Sequence, residues 1–66
     1  MPNKSLNEFL NHLKDLINKN DYESCIDLLF DAINQYPNEY KLKLNLGNVY
    51  KVLGDTPNAK EIYDSL

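Results

Sequence analysis

Sixty-six residues are enough for one small domain, and a domain of that size buries only about 60% of the surface its unfolded chain exposes. Ten acidic residues against seven lysines, with no arginine, leave a formal charge of −3; this disfavours a nucleic-acid partner, since both the basic footprint and the guanidinium that grips bases and phosphates are missing. No apolar run reaches the ~18 residues of a membrane span, the polar start Met1-Pro2-Asn3-Lys4-Ser5 lacks the core of a secretory signal, and the single Cys25 cannot close an internal disulfide, so a cytoplasmic location is expected.

Four helices follow in chain order. Ser5-x-x-Glu8 is a capping box ahead of Leu6, Phe9, Leu10, Leu13, Leu16 and Ile17, whose spacing predicts a first helix over about 5 to 19. Asn20 ends it, because asparagine tolerates the left-handed conformation that closes a helix. Asp21 caps a second helix over 22 to 35, and Pro37-Asn38 breaks the chain. A third helix covers about 39 to 53. Gly54 closes it, Asp55 caps the next, and Pro57 sits in the first turn of a fourth helix over about 56 to 66, where its missing N–H costs little. The expected fold is all-α, one domain over 1–66 built of two helical hairpins.

The hairpins are related by a period of 34 residues. Leu13 aligns with Gly47, Leu16 with Tyr50, Asn20 with Gly54, Asp21 with Asp55, Cys25 with Ala59 and Leu29 with Tyr63. The second copy reads Leu46-Gly47-x-x-Tyr50, Gly54-Asp55 and Ala59-x-x-x-Tyr63. The first reads Phe9-x-x-His12-Leu13-x-x-Leu16, Asp21-Tyr22 and Cys25-x-x-x-Leu29-x-x-Ala32, and closes with Pro37. A fixed register of this length over residues 6 to 66 resembles the tetratricopeptide repeat family, with repeat one at about 6–39 and repeat two at about 40–66. A four-helix bundle without repeats is the alternative arrangement. The chain departs from the family pattern in having Lys43 where an aromatic stands in copy one (Phe9) and Leu13 where copy two has its close-contact glycine. Copy two also runs out at Leu66, before a closing proline.

The resemblance implies two antiparallel hairpins in a right-handed superhelical stack, acting as a scaffold for protein–protein interaction. It also assigns faces. The stripe of each first helix that turns to the preceding repeat is Leu42, Leu46, Val49 and Leu53 in copy two, all apolar, and Glu8, His12, Asp15 and Lys19 in copy one, all polar. Nothing is therefore expected to stack before copy one, and Met1 reads as a natural start. No polar capping helix follows Leu66, so the stripe Ala59, Ile62, Tyr63 and Leu66 is expected to pack mostly on the second and third helices. Alternatively, Tyr50, Tyr63 and Leu66 form the face of a homodimer, with Phe30 and Tyr40, which interrupt otherwise polar faces, as further candidates.

The concave groove implied by the resemblance comprises Asn7, Leu10, Asn11, Lys14, Ile17 and Asn18 with Lys41, Leu44, Asn45, Asn48, Lys51 and Val52. These twelve positions hold three lysines, five asparagines, four apolar residues and no acid. Amide side chains both donate to and accept from a peptide backbone, and lysines select carboxylates. The expected ligand is an acidic or extended segment of a partner, contacted first by Lys14, Lys41, Asn45, Asn48 and Lys51, with Asn11 and Asn18 beside them. Related chaperone adaptors clamp a terminal carboxylate with three repeats. Asn45 and Lys41 match that pattern by position, but Lys14 stands for an asparagine, Leu10 for a lysine, and a third repeat is absent.

Chemistry is not expected. One histidine and one cysteine supply no nucleophile with a base and no metal set, and Gly47 and Gly54 form no phosphate loop. Cys25 reads as a packed small residue in the helix contact. His12 reads as a solvated edge residue whose neighbours Glu8 and Asp15 lack a third metal ligand at the right spacing. No catalytic residue, metal or cofactor is therefore assigned. The two functional expectations are a peptide-binding module and a self-association module.

Overall fold

The computed structural model describes residues 5–66, so the polar start Met1 to Lys4 lies outside the described residues. The described residues fold into four helices and no strand: α1 Leu6–Asn18, α2 Tyr22–Gln35, α3 Tyr40–Val52 and α4 Thr56–Asp64. Three of the expected spans shorten. Ser5 and Glu39 are caps in extended backbone, not first helical residues, while Lys19 and Leu53 are C-caps and α4 ends at Asp64, two residues before the expected stop.

Each boundary has a local cause. Ser5 Oγ accepts from the Glu8 N–H at 3.2 Å, Asp21 Oδ1 from the Ser24 N–H at 3.3 Å and Asp55 Oδ1 from the Asn58 N–H at 3.4 Å. Each bond satisfies one of the donors that a helix start leaves without an intrahelical partner. Only Glu39 caps without a side-chain bond. The ends of α1 and α3 share one construction. Asn20 and Gly54 take φ of 59° and 78°. The Asn20 N–H then reaches the Ile17 carbonyl and the Asp21 N–H that of Leu16, both at 2.9 Å, while Gly54 donates to Lys51 at 3.0 Å and Asp55 to Tyr50 at 2.9 Å. This paired closure is the Schellman motif, formed twice at the same repeat position.

The 34-residue period of the sequence is thus a period of backbone conformation. Shifted by 34, the bounds of α1 coincide with those of α3 and the start of α2 with the start of α4. The connections of three and four residues are too short for anything but an antiparallel return, so α1 with α2 and α3 with α4 form helical hairpins. Among the described residues, only consecutive helices approach closely: α1 with α2, α2 with α3, and α3 with α4. At close backbone range α4 therefore meets α3 and not α2, and of the expected stripe Ile62 packs against the core that the first three helices share. The extents of 35 × 27 × 15 Å have a shortest dimension that matches two helix layers.

One core runs through the first three helices. Phe9, Leu13 and Leu16 of α1, Cys25, Leu28, Leu29 and Ala32 of α2, and Leu42, Leu46 and Val49 of α3 are buried together. Tyr36 meets the Phe9 ring edge-on, with centroids 6.3 Å apart. Leu53, expected in the same stripe as Leu42, Leu46 and Val49, is instead 45% exposed at the C-cap of α3. Its counterparts in copy one, Glu8, His12, Asp15 and Lys19, are all exposed, and Lys19 pairs with Asp15 at 3.0 Å. An exposed i, i+4 pair of this kind contributes only about 0.3–0.5 kcal/mol.

Candidate functional site

The lysine- and asparagine-rich positions of α1 and α3 reach the surface. Lys14, Asn11 and Asn18 on α1 and Lys41, Asn48 and Lys51 on α3 are exposed, and Asn45 is half-buried. Ile17, Leu44 and Val52 are also exposed on these positions, Val52 at 61%. The reason is in the periodicity. Core contacts use Phe9, Leu13 and Leu16 of α1 and Leu42, Leu46 and Val49 of α3, which leaves positions one or two residues off that stripe facing water.

Two of the asparagines are held by the fold. Asn45 donates from Nδ2 to the Lys41 carbonyl at 3.0 Å, which leaves its Oδ1 as an acceptor. Asn48 accepts at Oδ1 from the Tyr63 hydroxyl at 2.6 Å, which leaves its Nδ2 as a donor. One turn of α3 therefore offers an acceptor and, three residues on, a donor, the two functions that a peptide backbone requires of a partner.

Tyr63 reaches Asn48 because Gly47 lets it. A Cβ built on Gly47 would lie 2.7 Å from Cε1 and 3.0 Å from Cζ of Tyr63, so the tyrosine ring occupies the space that any other residue at 47 would fill. The α3–α4 approach is correspondingly more extensive than that of α1 with α2, where Leu13 holds the glycine's position. Of the three residues assigned to a dimer face, Tyr50 is half-buried against the core and Tyr63 is half-buried and hydrogen-bonded within its own hairpin, while Leu66 is 53% exposed. The structure does not bring the three together as one bare patch. Phe30 and Tyr40 are exposed as expected.

Beside Tyr63 opens a surface pocket of about 310 Å³ between α3 and α4, lined by Lys51, Thr56, Ala59, Lys60 and Tyr63. The family resemblance pointed to Lys51 but not to Lys60 or Thr56. One part of the pocket's lining, the Tyr63 ring, lies in the space that Gly47 leaves, so its signal in the sequence is a glycine and an aromatic sixteen residues apart.

A shallower depression between α1 and α2 is lined by His12, Leu16, Ser24, Asp27, Leu28 and Asp31. Among the described residues, no group of three His, Cys, Asp or Glu side chains is placed to hold a metal ion. Cys25 is fully buried, and burial pushes its thiol above the ordinary value of 9.0, with the Asp21 carboxylate adding to the shift. Both effects disfavour the thiolate, which is the nucleophilic form. No described helix is long and apolar enough to cross a membrane.

Comparison with known proteins adds no relative: no family model, no curated protein and no solved structure matches the chain.

Proposed function

We propose that this chain is a non-catalytic protein-interaction module of tetratricopeptide type, which holds an acidic or extended segment of a partner protein against α1 and α3. The observation that carries the reading is a chain of net charge −3 presenting Lys14, Lys41 and Lys51, with no carboxylate interspersed, on equivalent faces of its two repeat-related helices. Lysines on such a face raise the encounter rate with acidic partners and disfavour basic ones. The oriented amides of Asn45 and Asn48 supply backbone recognition that does not demand one side-chain sequence. The 34-residue recurrence of caps and Schellman closures supports the repeat assignment.

The test is charge reversal. Lys41→Glu with Lys51→Glu is expected to weaken binding of a labelled glutamate-rich peptide at least tenfold, about 1.4 kcal/mol, while far-UV circular dichroism stays unchanged. Equal anisotropy titrations for parent and variant would remove the assignment.

Self-association is the second reading, supported by the exposed Leu53 and Leu66 at the ends of α3 and α4. Under it, light scattering after size exclusion gives twice the chain mass at high concentration, and Leu66→Asp returns the monomer. A monomer across the whole concentration range rejects it.

A further inference from the structure

The pocket between α3 and α4 shares Lys51 with the α3 face, and the hydrogen bond from Tyr63 to Asn48 ties its wall to that same face. Its composition differs from the rest of the surface. The floor is Ala59, almost fully buried, and the side is the Tyr63 ring, pinned at one edge by Gly47 and at its hydroxyl by Asn48. Lys51 from α3 and Lys60 and Thr56 from α4 complete the lining. Its volume of about 310 Å³ is at the small end of the range for ligand pockets, suited to one side chain and not to a cofactor. An apolar floor with one ammonium group from each helix in its lining is complementary to an apolar side chain flanked by carboxylates. A wholly polar segment would leave the floor wet, and a purely apolar one would leave both lysines without partners.

We infer that this pocket is an anchor site for the partner segment, seating one apolar side chain on Ala59 and Tyr63 while Lys51 and Lys60 hold carboxylates on either side of it. This rests on the peptide-binding reading above and makes it specific: the preferred ligand is an acidic segment interrupted by a leucine-sized residue. The wall requires no ordering on binding, because Gly47 and Asn48 already hold the tyrosine ring, and a preformed pocket loses less side-chain entropy than a flexible one.

The experiment compares two fluorescein-labelled dodecapeptides by anisotropy, one of glutamates with a single central leucine and one with alanine in its place. Lys60→Glu and the milder Lys60→Gln lie outside the α1 and α3 faces, and circular dichroism checks that both stay helical. The leucine peptide is expected to bind about tenfold tighter than the alanine peptide, a preference lost in Lys60→Glu and reduced in Lys60→Gln. Amide shifts on titration with the leucine peptide are expected to include Thr56, Ala59 and Lys60. If both peptides bind alike, or if Lys60→Glu binds as the parent does while Lys14→Glu weakens binding, the pocket assignment is overturned and the α1–α3 reading stands. If neither peptide binds, both fall together.

Discussion

Asn20 and Gly54 perform one task with different side chains. Both adopt positive φ, which costs an L-residue roughly 1–2 kcal/mol and glycine almost nothing. Asparagine recovers part of that cost, and here its Oδ1 also accepts from the Tyr22 hydroxyl at 3.2 Å, an exposed bond of small net value. Asn20→Gly is therefore expected to raise stability by about 0.5 kcal/mol, with the greater freedom of glycine in the unfolded chain offsetting the rest, and Gly54→Ala to lower it by about 1 kcal/mol. Urea melts of the two variants check this, and shifts of the same sign would show that the two closures are not equivalent. At this scale the sequence was readable: a residue that tolerates positive φ, followed by an aspartate cap, defines the turn without help from the rest of the molecule.

Between elements, Gly47 and Tyr63 form a matched pair. The equivalent positions in the first hairpin carry Leu13 and Leu29, both buried, so the two hairpins fill the same contact with two medium side chains or with none and a large one. Gly47→Ala would ordinarily stabilise a helix interior by about 1 kcal/mol. Here the new methyl group collides with a ring held at two points, and overpacking of that kind costs about 1–3 kcal/mol. The expected result is a net loss of about 1 kcal/mol that changes to a gain in a Tyr63→Leu background, where the ring edge is withdrawn. Thermal melts of the double-mutant cycle measure the sign, and a loss in both backgrounds would mean that Tyr63 is not the obstacle. The glycine could be picked out of the sequence by its repeat position, but its partner could not, since Tyr63 reads equally well as core, as dimer face or as pocket wall until the α3–α4 crossing is known.

For the whole molecule, the pattern of neighbours matters more than the number of helices. Helices α2 and α3 each pack against two others, whereas α1 and α4 each have one, and α4 is the shortest at nine residues. In a one-dimensional stack, stability is the sum of such local terms, so the ends open first. Amide hydrogen exchange is expected to be slowest in α2 and α3 and fastest in α4, by tenfold or more. Uniform protection across all four helices would indicate the mutual packing of a bundle in place of a linear stack. Lys60 and most of the pocket lining lie on the helix expected to be least protected, which makes α4 the element that a bound partner segment would stabilise most.

Four helices, the caps Ser5, Asp21 and Asp55, both left-handed closures, the 34-residue period and the burial of Cys25 were all determined by the sequence alone, because each depends on contacts within a turn or on a stripe of apolar residues along one helix. Only the tertiary structure decided that Leu53 lies outside the core, that α4 approaches α3 and not α2 at close backbone range, that Tyr50 packs on the core while Tyr63 bonds within its own hairpin, and that Leu66 is left exposed. It also brought Lys51 and Lys60 into the lining of one pocket with Ala59. These outcomes depend on the angle and distance at which two helices cross, which are set by the volumes of side chains remote in sequence, above all by the absence of one at Gly47.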